Sequence, residues 1–366
     1  VKLALLADIH AANHKQHGGP VEAGLNYRAR LIVETLKRAA DAARECAGAV
    51  VLGDLFDSTR PPPPLIRAVG QALEGFGWCD VILGNHDRSS DAVDDNAAAP
   101  LAFSESIQVV GEPRHRVVND QDGTLLLVPF LPGPARKWLP GVVEGLGLQP
   151  RHRKRVLCLH LGIWDESTAP FLKDSNDSVP LALIEALVEK HQLEAVVAGN
   201  WHQRRTWRVG PRKVPVAVLG TTCPVNFGDE KSDGKIGILD FAGERVALRF
   251  TDVPGPRWYT VELDGLLSFD PTACDAGVFV RCSVKPEDLA AATARRLELE
   301  AAGARVSITI DSSGLKRQAA AAASVARSAS SFETAVAGYV DANQVREPGT
   351  VTGVLRRLAE YRRLAG

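Results

Sequence analysis

Residues 1–10 read VKLALLADIH, an apolar run closed by an acid and a histidine two positions apart. The same figure returns as AVVLGDLFD at 49–57, VILGNHD at 81–87, VLCLH at 156–160 and AVVAGNWH at 195–202. Each joins a short β-rich stretch to polar residues at its carboxyl end. Short runs that are apolar at consecutive positions fit strands covered on both faces. Strands are therefore expected at 3–7, 49–52, 81–83, 156–159 and 195–198, with further runs of the same kind at 125–128, 216–219 and 236–240.

Helical spacing fills the gaps. Residues 27–43 carry apolar side chains at 27, 31, 32, 36, 39 and 43. Pro180 opens another helix, with Leu181, Ile184, Leu187 and Val188 on one face. Alternating strands and helices predict an α/β layered core. The later strands lie closer together in sequence, so part of the sheet is expected to be antiparallel.

The pattern breaks near Pro254–Pro256. Beyond it a strand at 278–283, a helix at 286–302 with Pro286 in its first turn and Gly303 past its end, and a strand at 306–310 make a small α+β unit. Residues 314–330 are rich in alanine and serine and read as a weak helix or linker. Two helices follow, near 332–340 and 351–365. On the last, Val351, Val354, Leu355, Leu358, Tyr361 and Leu364 share a stripe, and Arg356, Arg357, Arg362 and Arg363 lie largely off it. The expected organisation is a catalytic domain at 1–256, a capping domain at 257–312, a linker at 313–330 and C-terminal helices at 331–366.

Ligand sites in open α/β sheets lie beyond the carboxyl ends of strands. Five strand ends here deliver Asp8 and His10, Asp54, Asn85 and His86, His160, and Asn200 and His202 to one edge. Singly, each fragment reads as a capped turn or a core histidine. Five in succession, all with oxygen or imidazole donors, point to a metal site. Mixed carboxylate, amide and imidazole donors suit Mn²⁺, Fe²⁺ or Zn²⁺, and the oxygen-rich half suits Mn²⁺ best. Gly53, Gly84 and Gly199 each precede one of these residues, where a missing side chain permits close backbone approach.

The ordered set D-x-H, GD-x-x-D, GNHD, H and G-x-x-H resembles the signature of calcineurin-like metallophosphoesterases across residues 2–202. The resemblance implies a layered metallophosphoesterase β-sandwich flanked by helices. It also implies two divalent ions, Mn²⁺ first, with Mg²⁺, Fe²⁺ or Zn²⁺ as alternatives. Asp8, His10, Asp54 and His202 would hold one ion, and Asp54 would bridge to a second held by Asn85 and His160. His86 is implied to contact the scissile phosphate and protonate the leaving group, not to bind metal. Two ions about 3.5–4 Å apart activate water and clamp a phosphoester. The chain departs from the family at Asn200, where an imidazole usually binds the second ion. An amide oxygen is a weaker donor for transition metals.

Within the family the chain is most similar to the SbcD-type nuclease subunit. The carriers are GDLFDSTRP at 53–61, the strand–helix–strand unit, and Ser331-Phe332 with Tyr339 and the final helix. This implies a DNA exonuclease or endonuclease working in an SbcCD-type repair or recombination complex. DNA, an SMC-like ATPase of SbcC type and a second copy of the chain would be its partners. Arg60, Arg204 and Arg205 are the candidate phosphate contacts. The alternative is a stand-alone phosphodiesterase or phosphatase acting on nucleotides or small phosphoesters. A decayed assembly subunit has only Asn200 in its favour. Arg151-His152-Arg153-Lys154-Arg155 precedes a strand and should face away from the metals. His14 and His17 either line the entrance or sit in an exposed loop.

Composition sets the frame. In 366 residues, 45% are apolar and 24% charged, and the net charge of -1 gives no global basic field, so any nucleic-acid contact must be local. The six cysteines, at 46, 79, 158, 223, 274 and 282, form no CxxC pair and read as buried reduced thiols. No apolar run is long enough to cross a membrane and no leader precedes the first strand, so a cytoplasmic protein is expected.

Overall fold

The computed structural model describes residues 1–311 apart from 91, 93–94, 119–122, 147–153, 168–169 and 274–276. The linker and the C-terminal helices, with Ser331, Phe332 and Tyr339, lie outside the described residues. So do Cys274 and Arg151-His152-Arg153.

Strands β1 (Lys2–Leu6), β2 (Gly48–Leu52), β3 (Cys79–Ile82) and β4 (Ile107–Val110) are followed by β5 (Arg114–Val117), β6 (Gly123–Val128) and β7 (Lys154–His160). A short pair, β8 (Gly162–Trp164) and β9 (Ser178–Pro180), precedes β10 (Leu193–Gly199), β11 (Arg205–Val209) and β12 (Val214–Val218). Then come β13 (Lys235–Asp240), β14 (Ala247–Asp252), β15 (Arg257–Val261), β16 (Val278–Val284) and β17 (Arg305–Ile310). The helices are α1 (Tyr27–Ala42), α2 (Pro63–Glu74), α3 (Ala135–Gly145), α4 (Leu181–His191), α5 (Leu263–Leu267) and α6 (Leu289–Ala301).

Two six-stranded sheets form the core, in the orders β14-β13-β1-β2-β3-β4 and β11-β12-β10-β7-β6-β5. Strands β1 to β4 run parallel, and β13 returns antiparallel against β1. In the second sheet β6, β7, β10 and β12 are parallel, with β5 and β11 antiparallel at the edges.

Period-two alternation assigns the faces. Leu3, Leu5, Val50 and Leu52 pack with Leu125, Leu127, Val156, Cys158, Ala195 and Val197 between the sheets. The intervening Ala4, Leu6, Ala49 and Val51 pack with Ile32, Leu36, Leu65 and Leu73 of α1 and α2. On the second sheet Leu126, Leu157, Leu159 and Val196 meet Leu139 and Val143 of α3 and Ile184 and Leu187 of α4. Both faces of each central strand are covered, which is why the strands read as unbroken apolar runs. The fold is a layered α/β sandwich of two mixed sheets flanked by helices.

Local details differ from the sequence pattern in places. Helix α1 spans the expected stretch, and the side chain of its N-cap Asn26 accepts the Ala29 N–H at 2.9 Å. Pro180 is the N-cap of α4 rather than its first helical residue. Pro286–Asp288 is a 3₁₀ turn, and the α-helix starts at Leu289. Helices α2 and α3 are masked in the sequence by proline: α2 begins inside a run of four prolines, and α3 carries Pro140 in its interior.

By contacts among the described residues, those within 1–260, 270–281 and 298–306 form one compact unit, and those within 261–269, 282–297 and 307–311 form another. The first holds both large sheets. The second holds α5 and most of α6, and within it the Asp311 N–H donates to Val284 O at 2.8 Å. Among the described residues no helix is long and apolar enough to cross a membrane. Cys46, Cys79, Cys158, Cys223 and Cys282 are free, and burial pushes their thiols up.

The sheets are joined by a buried charge. Asp80 of β3 is fully buried, and Arg116 of β5 donates to its Oδ1 at 2.6 Å while lying 3.9 Å over the Trp78 ring. Burial pushes the Asp80 carboxyl up against the pull of Arg116. Removing one partner of a buried pair strands the other. Arg116→Ala is expected to lower unfolding free energy by about 3 kcal/mol in a denaturant titration. A loss under about 1 kcal/mol would show that Asp80 needs no partner.

Candidate metal centre

Every polar strand end found in the sequence converges on one place. Asp8 and His10 follow β1, Asp54 follows β2, and Asn85 and His86 follow β3, all neighbours in the first sheet. His160 closes β7 and Asn200 and His202 follow β10, neighbours in the second. The centre therefore straddles the carboxyl ends of both sheets.

The backbone there is bent into a region that L side chains disfavour. Asp8, His10, Asp54 and Asn200 have φ of 50°, 47°, 50° and 80°. Such left-handed residues persist only where surroundings over-determine them. The surroundings do so. Ile9 and His10 both donate N–H bonds to Asp54 O at 2.9 Å, and Ala11 donates to Leu55 O at 2.9 Å. The Asn200 N–H donates to Asp8 Oδ1 at 2.9 Å. Thr221 Oγ1 donates to Asp8 O at 2.5 Å, and Thr222 N donates to Ala7 O at 2.9 Å.

All three glycines are sterically required, and a Cβ on Gly199 would lie 2.2 Å from Leu52 O. A Cβ on Gly84 would lie 2.1 Å from Asp54 Oδ1, and one on Gly53, itself at φ +90°, would lie 2.1 Å from His160 Nδ1. Asp87 clamps the same turns. Its buried carboxylate accepts N–H bonds from Phe56 and Gly84 at 2.9 Å and Leu55 at 3.3 Å. Burial and the nearby Asp54 charge raise it to about 6.

Donor atoms lie within 4.8 Å of one another in three groups: Asp8, His10 and His202; His10, Asp54 and His86; and Asp8, Asp54 and His160. Asp54 Oδ2 sits between two imidazoles, 3.6 Å from His10 Nε2 and 3.5 Å from His160 Nε2. Its Oδ1 accepts the His86 N–H at 2.9 Å. His10 Nε2 and His202 Nε2 face each other at 3.0 Å, and Asn85 Oδ1 lies 3.0 Å from His160 Nε2. Buried carboxylates and imidazole nitrogens turned toward a common centre fit divalent cations, which neutralise the acids and use the nitrogen lone pairs.

Outer partners set which nitrogen is free. His160 Nδ1 lies 2.7 Å from Leu52 O, and His202 Nδ1 lies 2.6 Å from Asp229 Oδ1. Hydrogen bonds at Nδ1 leave Nε2 as the atom that could hold a cation. Asp229 Oδ2 in turn accepts N–H bonds from Val225 and Asn226 at 2.9 and 3.1 Å. Burial works against the His160 imidazolium, yet Asp54 and Asp8 hold its pKa up at about 9. His202 is also raised, with Asp229 and Asp8 outweighing burial. Burial would raise Asp54, but His160, His10 and the His86 N–H hold it well below the usual range. Asp8 is raised by burial.

The remaining expected residues fall into place differently. His86 has 44% of its side chain exposed, and its ring meets His10 edge-on at 4.8 Å. Asn200 donates through Nδ2 to Asp177 O at 3.2 Å, so its amide ties down a neighbouring turn. Arg60 is exposed. Arg204 pairs with Asp233 and lies 4.5 Å over Phe250, and Arg205 lies 5.4 Å over Trp201. His14 Nε2 is 3.0 Å from His10 O, and His17 joins a ring cluster with Phe279 at 5.6 Å, so neither is a plain surface residue. Lys154 and Arg155 bond Phe241 O and His191 O at the start of β7, away from His160.

No protein-family model matches the chain, and no curated protein matches it. Solved structures are similar to it at low identity. A dimetal phosphatase from Danio rerio is 12% identical with a TM-score of 0.47, over 69% of this chain and 96% of that one. A purple acid phosphatase from yellow lupin (Lupinus luteus) seeds is 11% identical with a TM-score of 0.44, over 69% of this chain and 52% of that one. A Staphylococcus aureus chain assigned as a 5'-nucleotidase is 14% identical with a TM-score of 0.43, over 69% of this chain and 54% of that one.

Two outcomes follow from the geometry. Asp229→Asn removes the carboxylate that orients His202, and divalent-metal affinity measured by calorimetry is expected to weaken about 10- to 100-fold with the fold retained. Unchanged affinity would show that His202 needs no such orienter. Metal binding must also displace the proton that His160 keeps up to about pH 9. Mn²⁺ affinity is therefore expected to weaken as pH falls below that value, roughly tenfold per unit for one displaced proton. Affinity that stays flat from about pH 8.5 to about pH 6.5 would contradict a protonated His160.

Proposed function

We propose that this chain is a two-metal hydrolase of phosphoesters of the calcineurin-like kind. The observation that carries the reading is Asp54 Oδ2, one carboxylate oxygen 3.6 Å from His10 Nε2 and 3.5 Å from His160 Nε2. One acid so placed can serve two cations. Asp8, His10, Asp54 and His202 would hold the first ion, and Asp54, Asn85 and His160 the second, with Mn²⁺ the best fit to this donor set. Two such ions, when bound, polarise the phosphorus centre and lower the pKa of attacking water.

The chain's own residues do the rest. The left-handed turns at Asp8 and Asp54 bring both carboxylates to the ends of neighbouring strands. Leu52 O and Asp229 fix the imidazoles of His160 and His202. His86, the most open imidazole of the group, can contact a phosphate oxygen and hand a proton from its ring to the leaving oxygen. A phosphomonoester and water would then yield phosphate and an alcohol, and a diester and water a phosphomonoester and an alcohol. His86 also lies close enough to join a ligand group with His10 and Asp54, so its role must be read from a variant.

The substrate class best supported is a nucleotide or other small phosphoester. The DNA-nuclease reading comes second. It is favoured by GDLFDSTRP at 53–61 with its exposed Arg60, while Arg204 and Arg205 are engaged by Asp233 and Trp201. Partnership with an SMC-like ATPase belongs to that second reading and rests on residues 331–366.

The test uses the Mn²⁺-loaded chain on 4-nitrophenyl phosphate, bis(4-nitrophenyl) phosphate and linear duplex DNA, with and without chelator. Hydrolysis abolished by chelation is expected, with Asp54→Asn losing metal and activity together. His86→Ala is expected to keep its metal and lose about 10²- to 10⁴-fold in turnover. Full activity in excess chelator would sink the reading, and metal loss in His86→Ala would make His86 a ligand. Cleavage of DNA alone would promote the second reading.

A further inference from the structure

Trp201 separates Asn200 from His202 in the chain, so a large aromatic residue is built into the rim of the metal centre. Its ring packs at the margin of the apolar layer behind the second sheet. Phe171 meets it edge-on, with ring centroids 5.8 Å apart and planes at 86°. Phe171 itself is 69% exposed. The guanidinium of Arg205 lies 5.4 Å from the Trp201 ring centroid.

A single exposed phenylalanine calls for no explanation. This one is held in place. The 3₁₀ turn Pro170–Asp174 that carries it is tied at Leu172 O, which accepts the Ser175 N–H at 3.0 Å and the Ser178 hydroxyl. Two residues beyond Ser175, Asp177 O accepts the Asn200 amide at 3.2 Å, and the Asn200 main chain holds Asp8. The exposed ring is thus coupled through one asparagine to the carboxylate at the heart of the centre. A ring presented to solvent, braced edge-on by a second ring, with a cation alongside, has the make-up of a stacking platform for a nucleobase.

We propose that Phe171 and Trp201, with Arg205, form a subsite for the base of a nucleoside phosphoester whose phosphate lies at the metal centre. The proposal rests on the phosphoesterase reading and narrows its substrate. It also accounts for Asn200. Where an imidazole would bind an ion, the amide anchors the turn that presents the platform. The same chemistry can arrive as a free nucleotide or as the end of a single strand.

The experiment is calorimetry on the full, Mn²⁺-loaded chain with the non-hydrolysable phosphonate analogues of AMP and of ribose 5-phosphate. Stacking one base is worth a factor of roughly 5 to 150 in affinity, so the adenosine compound is expected to bind tighter by about that factor. Phe171→Ala and, separately, Trp201→Leu should erase most of the difference while leaving ribose phosphonate binding and metal content unchanged. Equal binding of the two compounds by the native chain, or variants that weaken both alike, would overturn the proposal. A phosphorothioate hexadeoxyadenylate separates the sources: tighter binding than the mononucleotide, lost in Phe171→Ala, assigns the platform to a strand end, and equal binding assigns it to a free nucleotide. Binding is read without turnover. A chain that discriminates the base yet hydrolyses no phosphoester would therefore refute the catalytic reading and leave the subsite standing.

Discussion

Two carboxylates, Asp8 and Asp54, are buried side by side at the mouth of an apolar sandwich, and most of the surrounding architecture compensates for that placement. Like charges removed from water repel strongly, and neither could stay ionised without partners. The partners are main-chain amides from Asn200 and His86 and imidazoles from His10, His160 and His202. Acids and partners together come from five strand ends, so the acids can be adjacent only if five turns are held in register. The left-handed residues and the side-chain-free glycines are consequences of that crowding. Divalent cations would complete the balance, and the donor set is one that fits them.

The sandwich supplies the rigidity this requires. Strands covered on both faces have little freedom to shift, since slipping by one residue would exchange the inter-sheet set of Leu3 and Leu5 for the helix-facing set of Ala4 and Leu6. Fixing the strands fixes their ends. Asp87 and the Thr221–Thr222 pair then lock the turns that the strands leave free.

The residues that converge on the centre are legible in the sequence because local order encodes them: a buried strand, a glycine or apolar stop, then a donor. The layered α/β class follows from the same runs. What escapes such a reading depends on long-range placement. Asp229 reaches His202 from a turn 27 residues on, and nothing in Asn226–Asp229 announces it. Thr221 and Thr222 bond Asp8 and Ala7 across more than 200 residues. Two helices are hidden by prolines that usually mark loops. Asn200 is legible as an oddity, but its bond to Asp177 emerges only in three dimensions.

Those threonine bonds also bear on how the molecule is made. Ala7 and Thr222 are 215 residues apart, and Asp8 and Thr221 are 213 apart. A ribosome adding about 5–20 residues per second needs roughly 10–40 s to traverse that distance. Throughout that interval the first strand and its acid exist without the hydroxyls that pin them. Loop closure over such a span is slow and entropically costly. The nascent chain therefore carries an unfinished, charged strand end, and the centre can close only after β12 has left the ribosome.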